Sequence, residues 1–170
     1  MPAPIKKKQP KEIQNWFTNK VHTAAGMRRN IINNTNYSKD LSVIGKLIFF
    51  IYDPKHKATL PIYDKFPMVF PIEPYSDGFL GLNLHYLSIG ERISIINQLL
   101  KFANNDTMDK KTRLQVTYGL LSSTKKLSSL SRPCIKRYLF GHVRSKFVEI
   151  PADEWDMAIQ LPVEDFVIKP

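Results

Sequence analysis

Three prolines decide what the middle of this chain can be. Pro61, Pro67 and Pro71 punctuate a stretch otherwise rich in branched and aromatic residues. A proline fixes φ and has no N–H, so it cannot sit inside a helix or in the centre of a regular ladder. The stretch therefore predicts short strands that meet at edges, bulges and sharp corners. Residues 46–52 (KLIFFIY) read as a buried strand, residues 53–57 (DPKHK) as a turn, and residues 59–63 and 66–72 as further strands. Residues 75–78 (YSDG) form a tight turn. Residues 79–87 (FLGLNLHYL) alternate in part, with Leu80, Leu82, Leu84 and Tyr86 on one face. The pattern implies an α+β fold: a small, strongly curved antiparallel sheet or an SH3-like, partly open barrel, with two or three helices and an extended basic N-terminal arm.

The helices have their own signals. Ser88 with Glu91 three positions later makes a capping box for a helix to about Asn104, with Ile89, Ile93, Ile96 and Leu100 as its apolar stripe. A second helix is expected over 108–121, and residues 122–131 read as a polar loop. Residues 134–141 fit either helix or strand. A strand follows at 146–150, then a short helix at 151–158 with Trp155 turned inward, then a last strand at 166–168. Residues 1–12, with three prolines and a lysine triplet, read as an extended arm, and one or two short helices within 12–34 place Ile13, Trp16, Phe17 and Val21 on one side. The expected organisation is a basic N-terminal arm with a short helix over 1–42 and a compact α+β domain over 43–170.

Charge narrows the partners. Twenty-five Lys and Arg against fifteen Asp and Glu give a net charge of +10 on 170 residues. The surplus is segregated. Residues 1–46 hold nine Lys or Arg and two acids, residues 125–146 hold seven and no acid, and residues 147–170 reverse the sign with six acids against Lys169. Such an excess steers association with phosphate-rich or acidic partners. The nucleic-acid or acidic-partner site is assigned to Lys125, Lys126, Arg132, Lys136, Arg137, His142, Arg144 and Lys146. Tyr138 and Phe140 are nearby, as core residues or as stacking platforms. Lys6, Lys7, Lys8, Lys11, Trp16, Phe17, Arg28 and Arg29 form a protein-interaction arm. No helix-turn-helix, zinc-finger or RNA-recognition pattern occurs, so backbone contact rather than base readout is the expected mode.

Catalytic constellations find little support. His22, His56, His85 and His142 show no metal-ligand spacing. Asp53, Asp64 and Asp77 flank strand ends and would have to converge to hold a divalent ion for a nuclease. As turn acceptors they need not. Cys134 and His142 are the one nucleophile–base pairing open to the chain, with nothing to orient the base. Cys134 is the single cysteine, which rules out an intramolecular disulfide. No phosphate-binding glycine loop is present. The expectation is a non-enzyme with no cofactor and no metal, no secretory leader and no membrane span.

Residues 49–87 (FFIYDPKHKATLPIYDKFPMVFPIEPYSDGFLGLNLHYL) and 132–166 (RPCIKRYLFGHVRSKFVEIPADEWDMAIQLPVEDF), with the basic arm before them, resemble a family of small virion proteins of T4-like bacteriophages with contractile tails. Some of its members are labelled DNA end protectors. The resemblance covers most of 43–168 and carries over no catalytic residue. It implies a structural virion protein near the packaged DNA. In the first form of that reading it is an adaptor in the neck, connector or baseplate, bound to other virion proteins in a symmetric ring. The alternative is a protein that binds packaged double-stranded DNA and caps its ends. Both place the chain in the virion, and in the host cytoplasm during assembly.

Overall fold

The computed structural model of the chain describes residues 6–26, 46–60, 63–103, 109, 117, 119–120, 134–161 and 167–168. Strands β1 (Leu47–Phe49), β3 (Met68–Tyr75), β4 (Gly78–Asn83), β5 (Ile135–Leu139) and β6 (Val148–Ile150) form an antiparallel sheet of order β5-β4-β3-β1-β6. Two-residue strands β2 (Tyr63–Asp64) and β7 (Val167–Ile168) pair separately. Among the described residues, three helices accompany the sheet: α1 (Pro10–Gly26), α2 (Ile89–Ala103) and α3 (Trp155–Ile159).

The KLIFFIY run is apolar without alternation because both of its faces are covered. Leu47, Phe49 and Ile51 join Met68, Phe70, Ile72 and Leu82 in a core beneath the helices. Ile48, Phe50 and Tyr52 join Val69, Phe79, Tyr138 and Val143 in a second core inside the curl of the sheet. Successive strand residues point to opposite faces, so a strand covered on both sides needs apolar residues at every position. The Phe50 ring meets Tyr52, Phe79, Tyr138 and Phe147 edge-to-face, with centroids 5.2 to 6.0 Å apart, the arrangement ring quadrupoles favour.

Pro67 and Pro71 act as the sequence implied, while Pro61 lies outside the described residues. The register of β3 against β4 slips between Pro71 and Glu73, a β-bulge. β3 pairs with β1 only at Met68 and Val69, so its proline-bearing half runs beside β4 alone. Curling is completed at the other end of β1. Tyr52 bridges Val143, the Asp53 N–H donates to the His142 carbonyl at 3.0 Å, and the Arg144 N–H donates to the Ile51 carbonyl at 2.7 Å. A single 3₁₀ turn, Phe140–His142, carries the chain from β5 to this segment and on to β6. The two edge strands of the sheet are thus joined through one corner, and the result is a partly open, SH3-like barrel.

The helical layer is fastened from several sides. At the start of α2 the Ser88 N–H donates to Glu91 Oε2 at 2.7 Å and the Glu91 N–H to Ser88 Oγ at 3.3 Å, completing the capping box. Arg92 is fully buried. Its Nε donates to the carbonyls of Leu84 and Leu87, and its Nη1 to those of Ala158, Ile159 and Leu161. One guanidinium therefore ties α2 to the C-terminal end of α3, whose last carbonyls have no partner within the helix. Trp155 packs edge-to-face on Phe70 and donates its indole N–H to the Ile150 carbonyl.

Helix α1 begins at Pro10, two residues before the expected segment, because proline suits the first helical position. It lies within the stretch read from sequence as the arm, and it buries Ile13, Phe17 and Ala24 in the core beneath the helices. Trp16 Nε1 donates to Glu154 at 2.9 Å and Lys20 pairs with the same carboxylate at 2.7 Å. The Gln160 side chain accepts from the Lys8 N–H and donates to the Lys6 carbonyl. Residues 134–141, open between helix and strand, resolve as β5 and the 3₁₀ turn because β4 offers a pairing edge. Of the helix expected over 108–121, Thr117, Gly119 and Leu120 are helical. Asp109 is not, and the remainder lies outside the described residues, as does the loop at 122–131.

Candidate nucleic-acid interface

Where β1 runs out beside the 142–145 segment, at the barrel mouth, lies an open pocket of about 240 Å³. Ile51, Tyr52, Asp53, Lys57, Tyr63, Lys65 and Arg144 line it. Lys57 and Arg144 thus flank one carboxylate, while the Lys65 ammonium lies 6.0 Å over the Phe66 ring. Asp53 Oδ1 accepts from Lys57 Nζ at 2.8 Å, and its other oxygen stands 3.8 Å from Arg144 Nη2. The hydrogen bond from Lys57 holds the Asp53 carboxyl below its ordinary range, and the same bond raises the Lys57 ammonium. Arg144 is oriented by a 2.7 Å bond from Nη1 to the Gly141 carbonyl. His142 lies beside these residues, with Nδ1 2.9 Å from the Asp53 carbonyl and its ring edge-on to Tyr52. Burial pushes the Tyr52 phenol up, and its hydroxyl accepts from the Leu139 N–H. Tyr52 is therefore a wall of the pocket rather than an acid.

The described part of the basic run, residues 134–146, does not form one continuous surface. Lys136 and Arg137 are neighbours in β5, so they face opposite ways. Lys136 lies 4.5 Å over the Tyr86 ring, half-buried, with desolvation pulling its pKa down. Arg137 lies 4.2 Å over the Tyr75 ring and pairs with Asp77. Lys146 is half-buried, and its carbonyl accepts the Ser145 hydroxyl. Lys125, Lys126 and Arg132 lie outside the described residues. Among the described residues of the expected set, Arg144 lines the pocket and His142 touches it through the Asp53 backbone. Lys57 and Lys65, which complete it, were missed. The spacing of Asp53 and Lys57, four apart, was a signal for the first, and nothing in the sequence singled out the second.

In the arm, Lys6, Lys7 and Lys11 are exposed, while Lys8 pairs with Glu12 at 3.3 Å and Asp156 at 3.8 Å. Phe17 is buried against Phe49 and Phe66, and Trp16 is half-buried. Arg28 and Arg29 lie outside the described residues.

The carboxylates weighed for a metal nuclease are each engaged elsewhere. Asp53 is in the pocket and Asp77 holds Arg137. Asp64 is buried, with Oδ2 2.6 Å from His85 Nδ1 and 3.0 Å from Asn83 Nδ2, and with Oδ1 accepting the Phe66 N–H. Asn83 also donates to the Tyr138 hydroxyl and accepts the His85 N–H, so this network knits β2, β4 and β5 together. Among the described residues no three His, Cys, Asp or Glu side chains gather as metal ligands. Cys134 and His142 stand at opposite ends of β5, roughly 16 Å of strand apart. Burial raises the Cys134 thiol above its ordinary value.

A curled five-stranded sheet under a helical layer, strongly basic and with cations lining a pocket at its mouth, defines a small basic protein of the SH3-like barrel class. The chain belongs to the family of the phage T4 terminal DNA protecting protein, whose model matches residues 5–170. It is thereby a member of a small phage virion protein family associated with DNA protection, as its resemblance in sequence implied. No curated protein and no solved structure matches it.

Proposed function

We propose that this chain binds the ends of double-stranded phage DNA and shields them, as a non-catalytic component of the virion. The observation that carries this reading is the family match across residues 5–170, because the family is described by terminal DNA protection. The chemistry agrees with it. A net charge of +10 favours a polyanion, and the pocket offers Lys57, Lys65 and Arg144 against Asp53 alone. Phosphate contacts position a protein on DNA without reading its sequence, which suits a protein that meets any end. An adaptor in the neck, connector or baseplate would use the same basic surface against acidic protein in a symmetric ring. The family description turns on DNA termini, which favours the first reading.

The test is protection of a linear duplex against a processive exonuclease, with closed circular DNA as competitor and salt as a second variable. Protection that circular DNA fails to compete away is expected. The association constant should fall with salt on a log–log slope of about −0.9 per phosphate neutralised. If circular DNA competes as well as linear DNA, or if no protection appears at low salt, the DNA-end reading fails.

A further inference from the structure

The pocket at the barrel mouth holds more positive charge than an internal phosphodiester calls for. Lys57, Lys65 and Arg144 converge on a space of about 240 Å³. This is smaller than the roughly 300–1,000 Å³ of ordinary small-molecule sites, and fits a phosphate with its sugar rather than a whole cofactor. In the free protein Asp53 occupies two of the cations, at 2.8 Å from Lys57 and 3.8 Å from Arg144. All three side chains are about half exposed, and ion pairs so exposed contribute little stability. An incoming anion can therefore take both cations from Asp53 at small cost. Arg144 is held in place through Gly141, which leaves Nη2 directed into the pocket. Ile51, Tyr52 and Tyr63 supply an apolar and aromatic wall beside the cations, suited to a sugar or a base edge.

A terminal phosphomonoester carries about −1.5 to −2 charge near neutral pH and three strong acceptor oxygens. An internal phosphodiester carries one charge and is flanked by chain on both sides. Three cations lining one small pocket match the first. We infer that this pocket receives the terminal phosphate of a DNA strand, with Arg144 and Lys57 exchanging Asp53 for the phosphate oxygens, Lys65 supplying the third cation, and Tyr63 lying against the terminal nucleotide. The inference rests on the DNA-end reading and names the chemical group by which an end is told from the interior of a duplex.

The test compares duplexes of one sequence ending in 5′-phosphate, 3′-phosphate or hydroxyl groups only, measured by fluorescence anisotropy at fixed low salt. At least one phosphorylated end should bind about tenfold tighter than the hydroxyl end, the worth of one charge-assisted contact, and the two phosphate positions show which strand terminus enters. In the double variant K57Q/R144Q, checked for an unchanged melting temperature, that preference should fall to near unity. Wild-type protein that binds all three ends equally overturns the pocket assignment, and so does a preference that survives in the variant. Equal binding with exonuclease protection intact removes this inference alone. Absence of both binding and protection removes the DNA-end reading with it. As an independent readout, inorganic phosphate should shift the backbone amide resonances of Lys57, Tyr63, Lys65 and Arg144 saturably. Weak, unsaturable shifts spread over surface lysines would also overturn the assignment.

Discussion

Replacing Arg92 by methionine measures how firmly the helical layer is tied together. The substitution keeps a long, flexible side chain in a fully buried site, so the cavity term is small. It removes donors to five backbone carbonyls. Leu84 retains the bond from the Leu87 N–H at 3.1 Å, so the main loss falls on Ala158, Ile159 and Leu161. A buried carbonyl left dry costs about 1–3 kcal/mol, or roughly 6 kcal/mol for these three at mid-range. Removing the guanidinium returns part of its own desolvation cost, several kcal/mol. The net loss comes to about 3 kcal/mol. For a chain of this size each kcal/mol moves the melting temperature by about 2–4 °C, so R92M should melt roughly 6–12 °C lower. The assay is thermal unfolding by circular dichroism, with hydrogen exchange at α3 to show where the loosening starts. R92K should fare no better than R92M, because one ammonium cannot reach both the Nε and the Nη1 groups of carbonyls. An R92M protein that melts within about 2 °C of wild type, with unchanged exchange at α3, would refute the reasoning.

Other perturbations probe other links. A Cβ on Gly78 would run into the Tyr138 backbone carbonyl, which cannot swing aside as a side-chain tip can. G78A should therefore open the first rungs of the β4–β5 pairing and cost about 1–3 kcal/mol, read by denaturant unfolding and by amide exchange at Leu139. Desolvation pushes the Glu154 carboxyl up, but the hydrogen bonds from Lys20 and Trp16 outweigh it and hold the group below its ordinary value of 4.5. A carboxyl depressed in the folded state stabilises it fully above the unfolded value and loses that contribution as pH falls through the folded one. The docking of α1 should thus hold at neutral pH and weaken below about 4.5, a change that Trp16 fluorescence reports and that E154Q abolishes. Cys134 is buried with its thiol raised, so iodoacetamide at pH 8 should label it only after unfolding. Rapid labelling of native protein would contradict its place in the core.

Much of the barrel could be read from residues because local chemistry decided it. Pro71 marked a bulge, residues 75–78 marked a hairpin, and Ser88 with Glu91 marked the start of α2. In each case the signal lies within a few positions of its consequence. The ambiguity at 134–141 was of another kind. Nothing inside that segment chooses strand over helix. The free edge of β4, more than fifty residues earlier, makes the choice. The candidate site was legible by half for the same reason. Counting charge along the chain found His142 and Arg144, but it also grouped Lys136 with Arg137, which a strand sends to opposite sides. Lys57 enters the pocket from the loop after β1, and Lys65 because its carbonyl accepts the Tyr52 N–H. The Asp77 carboxylate that occupies Arg137 comes from the hairpin turn. Charge segregation in sequence reports where cations are made, and the sheet decides which of them meet.

The chain leaves the barrel after Asn83 and re-enters it at Cys134, where the Asn83 N–H donates to the Cys134 carbonyl at 2.9 Å. Departure and return are stitched at one point. The β3–β4 hairpin pairs near neighbours in sequence, whereas β5 reaches β4 across a loop of about fifty residues. The entropy of such a closure rises only slowly with length, by about 0.6 kcal/mol for each doubling. The excursion is tied back to what it leaves: α2 is fastened through Arg92, and Leu120 packs on the core beneath the helices. Lengthening the chain between β4 and β5 is thus cheap in closure entropy, and what holds the excursion to the barrel is packing.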